Sequence, residues 1–283
     1  MAAGTNRHLV FLLMSLVILV CSPGVVHGAE GEKSGESTTW TEVLENGEEV
    51  SNRRVAQILE NLPEGHKLRV TFHKVWGMSK KKLLTMLKVA TPLDEKSRPH
   101  GLQQHFRPWR GVYRTVNYEK GQKHGLEKVF EKGYEKGTPK SVIEWARGER
   151  LSRKVFHPNG ELGTIVKYEN GEPIGESRSF GPEGRLTRVV RYEAGKRHGE
   201  MVTFWPETGE KKRVVPLEKG LVTGVVREYY KDGSKKAEMP FRRDSLHGVQ
   251  KQWDEDGNLE RRRYWLDGEL VPRGVFDEKF EEK

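Results

Sequence analysis

Cysteine is nearly absent from this 283-residue chain, whose Cys21 has no second cysteine to pair with. No Asn-x-Ser/Thr sequence provides an N-glycosylation site. Hydrophobic residues amount to only 34% and charged residues to 32%, so the composition argues against a deep globular core. Because no disulfide can stabilise the fold, the protein must rely on backbone hydrogen bonds and side-chain packing.

Motifs that mark common enzyme classes are missing as well. The sequence contains no Gly-x-Ser-x-Gly elbow, His-Glu-x-x-His motif, phosphate-binding loop or dinucleotide fingerprint. We therefore predict a protein that is not an enzyme and that uses no cofactor or metal. The less favoured alternative is an enzyme whose pocket lies between an N-terminal element, with His66 and His73, and the first repeats described below.

The N-terminal segment 1–28 has the layout of a secretory signal peptide. Arg7 precedes the uncharged run 9–20, which is too short to span a bilayer comfortably, and small residues allow cleavage after Gly28. An uncleaved anchor, cleavage after Gly24 and lipidation of Cys21 are the alternatives. We expect a periplasmic, cell-envelope or extracellular protein with no transmembrane span in the mature chain.

Basic residues outnumber acidic ones by 50 to 41, and loss of Arg7 with the signal peptide would leave a net charge of +8. Such an excess favours acidic partners at long range. Export disfavours nucleic acid as the partner, which leaves a protein, an anionic polymer or lipid headgroups.

From His100 onward the sequence repeats every 24 to 26 residues. Each unit has a marker glycine, often preceded by His, and a marker aromatic residue five positions later. The marker glycines are Gly101, Gly125, Gly175, Gly199, Gly224, Gly248 and Gly274, with Leu151 in one degenerate copy. The marker aromatics are Phe106, Phe130, Phe156, Phe180, Phe204, Tyr229 and Trp253.

Two strands and two turns are predicted in each unit. Asn-Gly and Asp-Gly pairs tolerate the positive φ of tight turns, and the stretches between them are rich in β-branched and aromatic residues. A lone hairpin is marginal in water, so neighbouring hairpins must complete one another. The predicted fold is mainly β, an elongated antiparallel sheet of tandem hairpins over 100–274.

Blocks of the form (Tyr/Trp)-x-x-Gly-x-x-(His)-Gly-x-x-x-x-aromatic, clearest at 168–180 and 192–204, resemble the MORN repeat. The resemblance is to the variant form common in bacterial proteins, some of which are labelled YwqK-type antitoxins. It implies a hairpin array, and the label implies a second role as the neutralising partner of a toxin. Pro216 and Pro240 depart from a regular strand and predict bulges or exposed edges.

Outside the array we expect a flexible leader at 29–39, a small α+β element at 40–95 and a charged C-terminal tail at 275–283. Within the element, Ser51 is predicted to cap a helix, residues 68–72 alternate like a strand, and residues 80–89 are ambiguous between strand and helix.

Two rows of basic residues are the candidate binding residues. The first row stands three residues after the marker, on the face of the marker aromatic two positions later: Lys128, Lys154, Arg178, Arg227 and Lys251. The second row stands four residues before each unit's closing aromatic: Arg114, Arg188, Arg213 and Arg261. Together they suggest a surface for a phosphate- or sulfate-bearing polymer or anionic lipid headgroups, and the alternative is that rings and basic stems only pack the sheet.

The histidines before the marker glycine have two interpretations: a column of metal ligands, or side chains that pack against the turns. They are His100, His124, His198 and His247. Equivalent strands of successive hairpins lie about two spacings of ~4.8 Å apart, too far for these side chains to share an ion. The turn-packing interpretation is therefore favoured.

Overall fold

The computed structural model describes residues 39–45, 51–76, 83–133 and 137–281. Within these ranges, twenty strands form one open antiparallel sheet. Strands that follow one another in the chain pair with one another, except that each of two short strands, 221–222 and 245–246, pairs with the same preceding strand as the strand after it does. The mainly β fold predicted from the repeats is confirmed. The signal peptide and all of the leader except Thr39 lie outside the described residues.

The N-terminal element is continuous with the sheet. It consists of β1 (Thr39–Glu45), α1 (Arg53–Leu59), β2 (Lys67–Trp76) and β3 (Leu83–Leu93). The pairs Val89 with His105 and Ala90 with Gln104 join β3 to the first repeat strand. Helix α1 begins after Asn52, whose side-chain oxygen accepts the N–H groups of Arg54 and Val55 at 3.1 and 3.3 Å. Asn52 rather than Ser51 is therefore the cap.

The largest hydrophobic core lies where α1 packs on one face of β1–β3 and the first repeat strand. Val55 and Leu59 of the helix contact a cluster that includes Leu68, Val70 and Phe106, all buried. Alternate residues of β2 point to this core, as residues 68–72 predicted. We call the side that carries α1 the helix face and the opposite side the open face.

The repeats supply the remaining strands. They are β4 (Gly101–Arg107), β5 (Gly111–Glu119), β6 (Gln122–Val129), β7 (Ser141–Ala146), β8 (Glu149–Phe156), β9 (Leu162–Glu169), β10 (Glu172–Phe180), β11 (Leu186–Glu193), β12 (Lys196–Phe204), β13 (Lys211–Glu218), β14 (Leu221–Val222), β15 (Gly224–Tyr229), β16 (Lys235–Arg242), β17 (Ser245–Leu246), β18 (Gly248–Trp253), β19 (Leu259–Leu266) and β20 (Glu269–Val271).

One turn of each unit is a two-residue loop in which both residues have positive φ. In the β9–β10 turn, Asn170 and Gly171 have φ of 50° and 82°, and Glu169 pairs directly with Glu172. This is the backbone of a type I′ turn, whose twist matches the twist of the flanking strands. Ala194 and Arg147 occupy the first position elsewhere, also with positive φ, although they lack the tolerance of Asn or Gly.

The marker glycines lie in bulges at the start of the next strand. Six of them have φ between 62° and 122°. Gly224 and Gly248 face Pro216 and Pro240 of the preceding strand, so the two prolines lie at bulges, as predicted. Leu151 is tolerated because its copy has a different bulge: the register between β7 and β8 shifts by one residue, and Leu151 remains unpaired at ordinary φ.

The C-terminal segment differs from the charged tail expected at 275–283. Helix α2 (Arg273–Glu281) follows β20, and its Phe276 is buried with its ring 5.3 Å from that of Tyr264. Gly274 lies inside this helix and is not a marker glycine, which explains why no aromatic follows five positions later. Neither helix in the described ranges is long and apolar enough to cross a membrane.

Candidate functional site

The first basic row lies on the helix face as one continuous line of cross-strand neighbours. The line runs Lys128, Val142, Lys154, Ile165, Arg178, Val189, Val202, Val214, Arg227, Glu238 and Lys251. Directly paired residues point to the same side of a sheet, so these side chains share a surface. We call this line the marker row. Its basic side chains alternate with β-branched ones from Lys128 to Val189.

Ion pairs neutralise only part of the marker row. Arg178 contacts Glu176 at 2.8 Å, and Arg227 approaches Glu238 at 4.0 Å. Lys154 is exposed and Lys128 and Lys251 are half-buried. No ion pair to these three lysines is observed among the described residues, so their charges remain available to a ligand.

The second basic row lies on the opposite side. Arg114 pairs with Val129, whereas the neighbouring Thr115 pairs with Lys128, so Arg114 and Lys128 point to different faces. The same alternation places Arg188, Arg213 and Arg261 on the open face. The sequence suggested two rows side by side, but the register separates them by the thickness of the sheet. A single polymer lying on one face cannot contact both.

Several residues of the second row serve packing and ion pairing within the sheet. Arg213 contacts Glu228 at 3.5 Å, and Arg188 donates to the sulfur of Met201 at 2.8 Å. Arg261 is exposed. These contacts favour the structural interpretation for this row more than for the marker row.

A buried carboxylate organises the open face near β5–β7. The side chain of Glu127 is only 6% exposed, and Arg114 and Lys123 contact it at 2.7 and 3.0 Å. The indole N–H of Trp145 donates to the same carboxylate at 3.1 Å. Burial alone raises the pKa of Glu127, but the hydrogen bond from Lys123 and the charge of Arg114 outweigh it and hold the pKa below its ordinary value. Burial, and then the charge of Arg114, lower the pKa of nearby His105.

The open face becomes apolar toward the C-terminal repeats. Val215, Leu217 and Val226 are buried there, and Met239 and Phe241 pack against them, half-buried. This face therefore changes from a charged network to an apolar cluster along the array.

The marker aromatics build the sheet. Phe106 is buried beneath α1, and the other six are half-buried. The residue after a marker aromatic reaches the next unit: Trp205 Nε1 donates to the carbonyl of Tyr229 at 3.2 Å, and Tyr230 donates its hydroxyl to the carbonyl of Trp253 at 2.8 Å. The sequence signal for this coupling, a polar side chain directly after the aromatic, was not recognised.

The histidines hold turns, in agreement with the packing interpretation. The Nδ1 atom of His247 accepts the backbone N–H of Asp267 at 3.3 Å. The Nδ1 atom of His100 accepts the backbone N–H of Lys120 at 3.4 Å. In the described residues, no group of three or more His, Cys, Asp or Glu is arranged to hold a metal.

The enzyme alternative placed a pocket between the N-terminal element and the first repeats, in which His66, His73 and nearby acidic residues could contribute. His66 lines a cleft of about 610 Å³ between α1 and β4, with His100 5.5 Å away between ring centroids. His73 follows the core residue Phe72 on β2 and therefore points to the open face. The fold places the two histidines on different sides of the sheet.

The family model described as the MORN repeat variant matches residues 222–243 and 246–270. Residues 222–270 are therefore similar to two successive MORN repeats. The matched segments cover β14 to β20, and the preceding units share their hairpins, positive-φ turns and marker bulges. No curated protein matches the chain.

Proposed function

We propose that this MORN-repeat protein is a non-catalytic binding protein that is exported and holds an anionic envelope polymer on its helix face. The marker row carries the proposal, because it presents basic side chains in line on one surface, two strands apart from Lys128 to Arg178 and again from Arg227 to Lys251. Lys128, Lys154 and Arg178 lie two strands apart, which corresponds to ~9.6 Å at the usual spacing of β-strands.

The interval in the marker row favours a polymer with widely spaced charges. DNA carries one phosphate for about every 3.4 Å of each strand, so a nucleic acid would leave most of its phosphates without a partner in the row. A polysaccharide with one anion for every two sugar rings has a charge spacing closer to the row. The β-branched residues between the basic ones, such as Val142 and Ile165, offer apolar surface to the rings.

The test compares equal charge changes on the two faces. Lys128→Gln/Lys154→Gln/Lys251→Gln removes three marker-row charges, and Arg153→Gln/Arg188→Gln/Arg261→Gln removes three exposed charges from the open face. At about 1 kcal/mol for each basic group, the first variant should bind hyaluronan, a polysaccharide with one carboxylate for every two sugar rings, about 100-fold more weakly at low salt. Equal losses in the two variants, or unchanged binding in the first, would contradict the proposal.

Export is tested separately by fractionation. The segment 1–28 supports removal of a signal peptide, so the mature protein should be recovered from the envelope or the medium with a new N-terminus near Ala29. Full-length protein in the cytosol would contradict this part of the proposal.

A second candidate is a protein partner on the open face, including a toxin. The half-buried Met239 and Phe241 beside the buried Val226 support it, because an apolar patch within a polar surface suits a protein interface. Met239→Lys should abolish such a complex and leave polymer binding unchanged. If the partner is a toxin, co-expression of this protein with the toxin should restore growth. Failure to restore growth would contradict the toxin role.

A further inference from the structure

A basic notch lies where the start of α1 meets the β4–β5 turn. A cavity of about 570 Å³ separates the two elements. Its polar lining contains Arg53 and Arg54 from the helix and Arg107 and Arg110 from the turn, with Trp109 between the last two. All four arginines are exposed, and Trp109 is 49% exposed.

The turn holds Trp109 in an unusual position. The N–H of Arg110 donates to the carbonyl of Arg107 at 3.2 Å, and Trp109 has a φ of 62°. Positive φ is rare for a bulky side chain, and here it belongs to the turn that fixes the backbone of Trp109 beside the notch. A second cavity of about 420 Å³ also borders Arg107 and Arg110 and adds Lys132 and the ring of Phe130.

Aromatic contacts hold two of the arginines. The guanidinium of Arg107 lies 4.5 Å from the ring centroid of Tyr113, and that of Arg54 lies 5.7 Å from the ring of Phe106. Arg54 also lies over Gly111, where an added Cβ would come within 3.7 Å of its terminal nitrogens.

Stacking leaves the N–H edges of a guanidinium free to bind an anion in pairs. Glu131, the carboxylate that borders the second cavity, is already paired with Lys140 at 2.6 Å.

We propose that this notch binds one acidic sugar unit, with Trp109 against the face of the ring and the arginines on its carboxylate or sulfate. The proposal rests on the proposed function, since α1 and its neighbour Phe106 share the helix face with the marker row. A polymer that follows the row toward the N-terminal repeats would meet α1 beside the notch. The notch therefore adds recognition of the sugar ring to the charge recognition of the row.

The experiment measures calorimetric binding of a heparin-derived tetrasaccharide to the full chain and its variants. Arg107→Gln/Arg110→Gln should weaken binding tenfold or more, because charge-assisted hydrogen bonds are lost. Trp109→Asn should weaken it about fivefold through loss of the aromatic contact, while the backbone is preserved because Asn tolerates positive φ. The matched control Arg153→Gln/Arg263→Gln removes two exposed charges from the open face and should bind as the unchanged protein does.

Three further probes define the ligand. Inorganic sulfate should bind at least tenfold more weakly than the tetrasaccharide, since it offers no ring to Trp109 and only one anionic group to the arginines. Trp109→Asn and the unchanged protein should bind an oligothymidylate, or phosphatidylserine vesicles, with equal affinity. Two results would overturn the acidic-sugar assignment. The first is that Trp109→Asn weakens binding of the oligothymidylate or the vesicles and not binding of the tetrasaccharide. The second is that Arg107→Gln/Arg110→Gln and Arg153→Gln/Arg263→Gln bind the tetrasaccharide equally well.

Different results would contradict the proposal for the marker row and the proposal for the notch. Lys128→Gln/Lys154→Gln/Lys251→Gln should retain tetrasaccharide binding and lose the long polymer. If the tetrasaccharide binds only through the marker row, the notch proposal fails and the proposed function stands. If only the notch variants weaken binding of the tetrasaccharide and of the long polymer, the proposed role of the marker row is contradicted.

Discussion

Replacement of Gly248 by Ala should destabilise the protein strongly, because two independent costs coincide there. Gly248 has a φ of 122°, which L-residues rarely adopt, and an added Cβ would lie 2.8 Å from Cγ of Pro240. The backbone cost is about 1–2 kcal/mol, and overpacking against a rigid proline ring adds about 1–3 kcal/mol. We therefore expect the free energy of unfolding to fall by about 2–5 kcal/mol.

Two other Gly→Ala changes separate these costs. Gly175 has a φ of 62° with nothing within 4 Å of an added Cβ, so Gly175→Ala should cost only about 1 kcal/mol. Gly274 lies in α2 with ordinary φ and open space, so Gly274→Ala should stabilise α2 by about 0.5 kcal/mol. The sequence assigned all three glycines to one role, whereas the structure predicts three different outcomes.

Urea unfolding followed by circular dichroism gives the three midpoints. Hydrogen exchange of the flanking strands shows whether the effect of Gly248→Ala is confined to adjacent repeats, as nearest-neighbour coupling requires. The reasoning is refuted if Gly175→Ala and Gly248→Ala cost the same, or if Gly274→Ala destabilises.

Further predictions concern the other contacts. Glu127→Gln should cost about 3 kcal/mol, since two cations lose a buried partner, and the matched Glu176→Gln, whose carboxylate is one-third exposed, should cost less than ~1 kcal/mol. Because the folded pKa of Glu127 is lowered from 4.5, its stabilisation is present above that pH and is lost as the pH falls through the folded pKa; acid titration of Glu127→Gln should lack this loss. Tyr230→Phe should lower thermal stability by about 1 kcal/mol through the lost hydrogen bond to Trp253, and no change would argue against that inter-repeat contact. Ala194→Gly should raise the free energy of unfolding by about 1 kcal/mol, because Ala194 has a φ of 45°; a decrease in urea unfolding would contradict the assigned turn.

The repeating unit was readable from the sequence because its signals are local. Turn pairs such as Asn170-Gly171 specify their own backbone, and the recurrence of marker glycines and aromatics fixes the period. Pro216 and Pro240 indicated bulges for the same reason, since proline cannot donate to a strand ladder.

Placement of the two basic rows depends on register across strands, which spacing within one strand does not determine. Lys128 and Arg114 belong to different strands, and only their pairing partners show that they point in opposite directions. The helical end of the chain was missed because Phe276 provides one apolar anchor within a highly charged segment. The notch around Trp109 was missed because it joins residues more than fifty positions apart, Arg53 and Arg110 among them.

Lysine acylation footprinting with and without hyaluronan tests most directly whether one face of the sheet binds the polymer. The account predicts that the polymer slows acylation of Lys128, Lys154 and Lys251 and leaves Lys123, on the open face, unchanged. Equal protection of all four lysines, or protection of Lys123 alone, would contradict it.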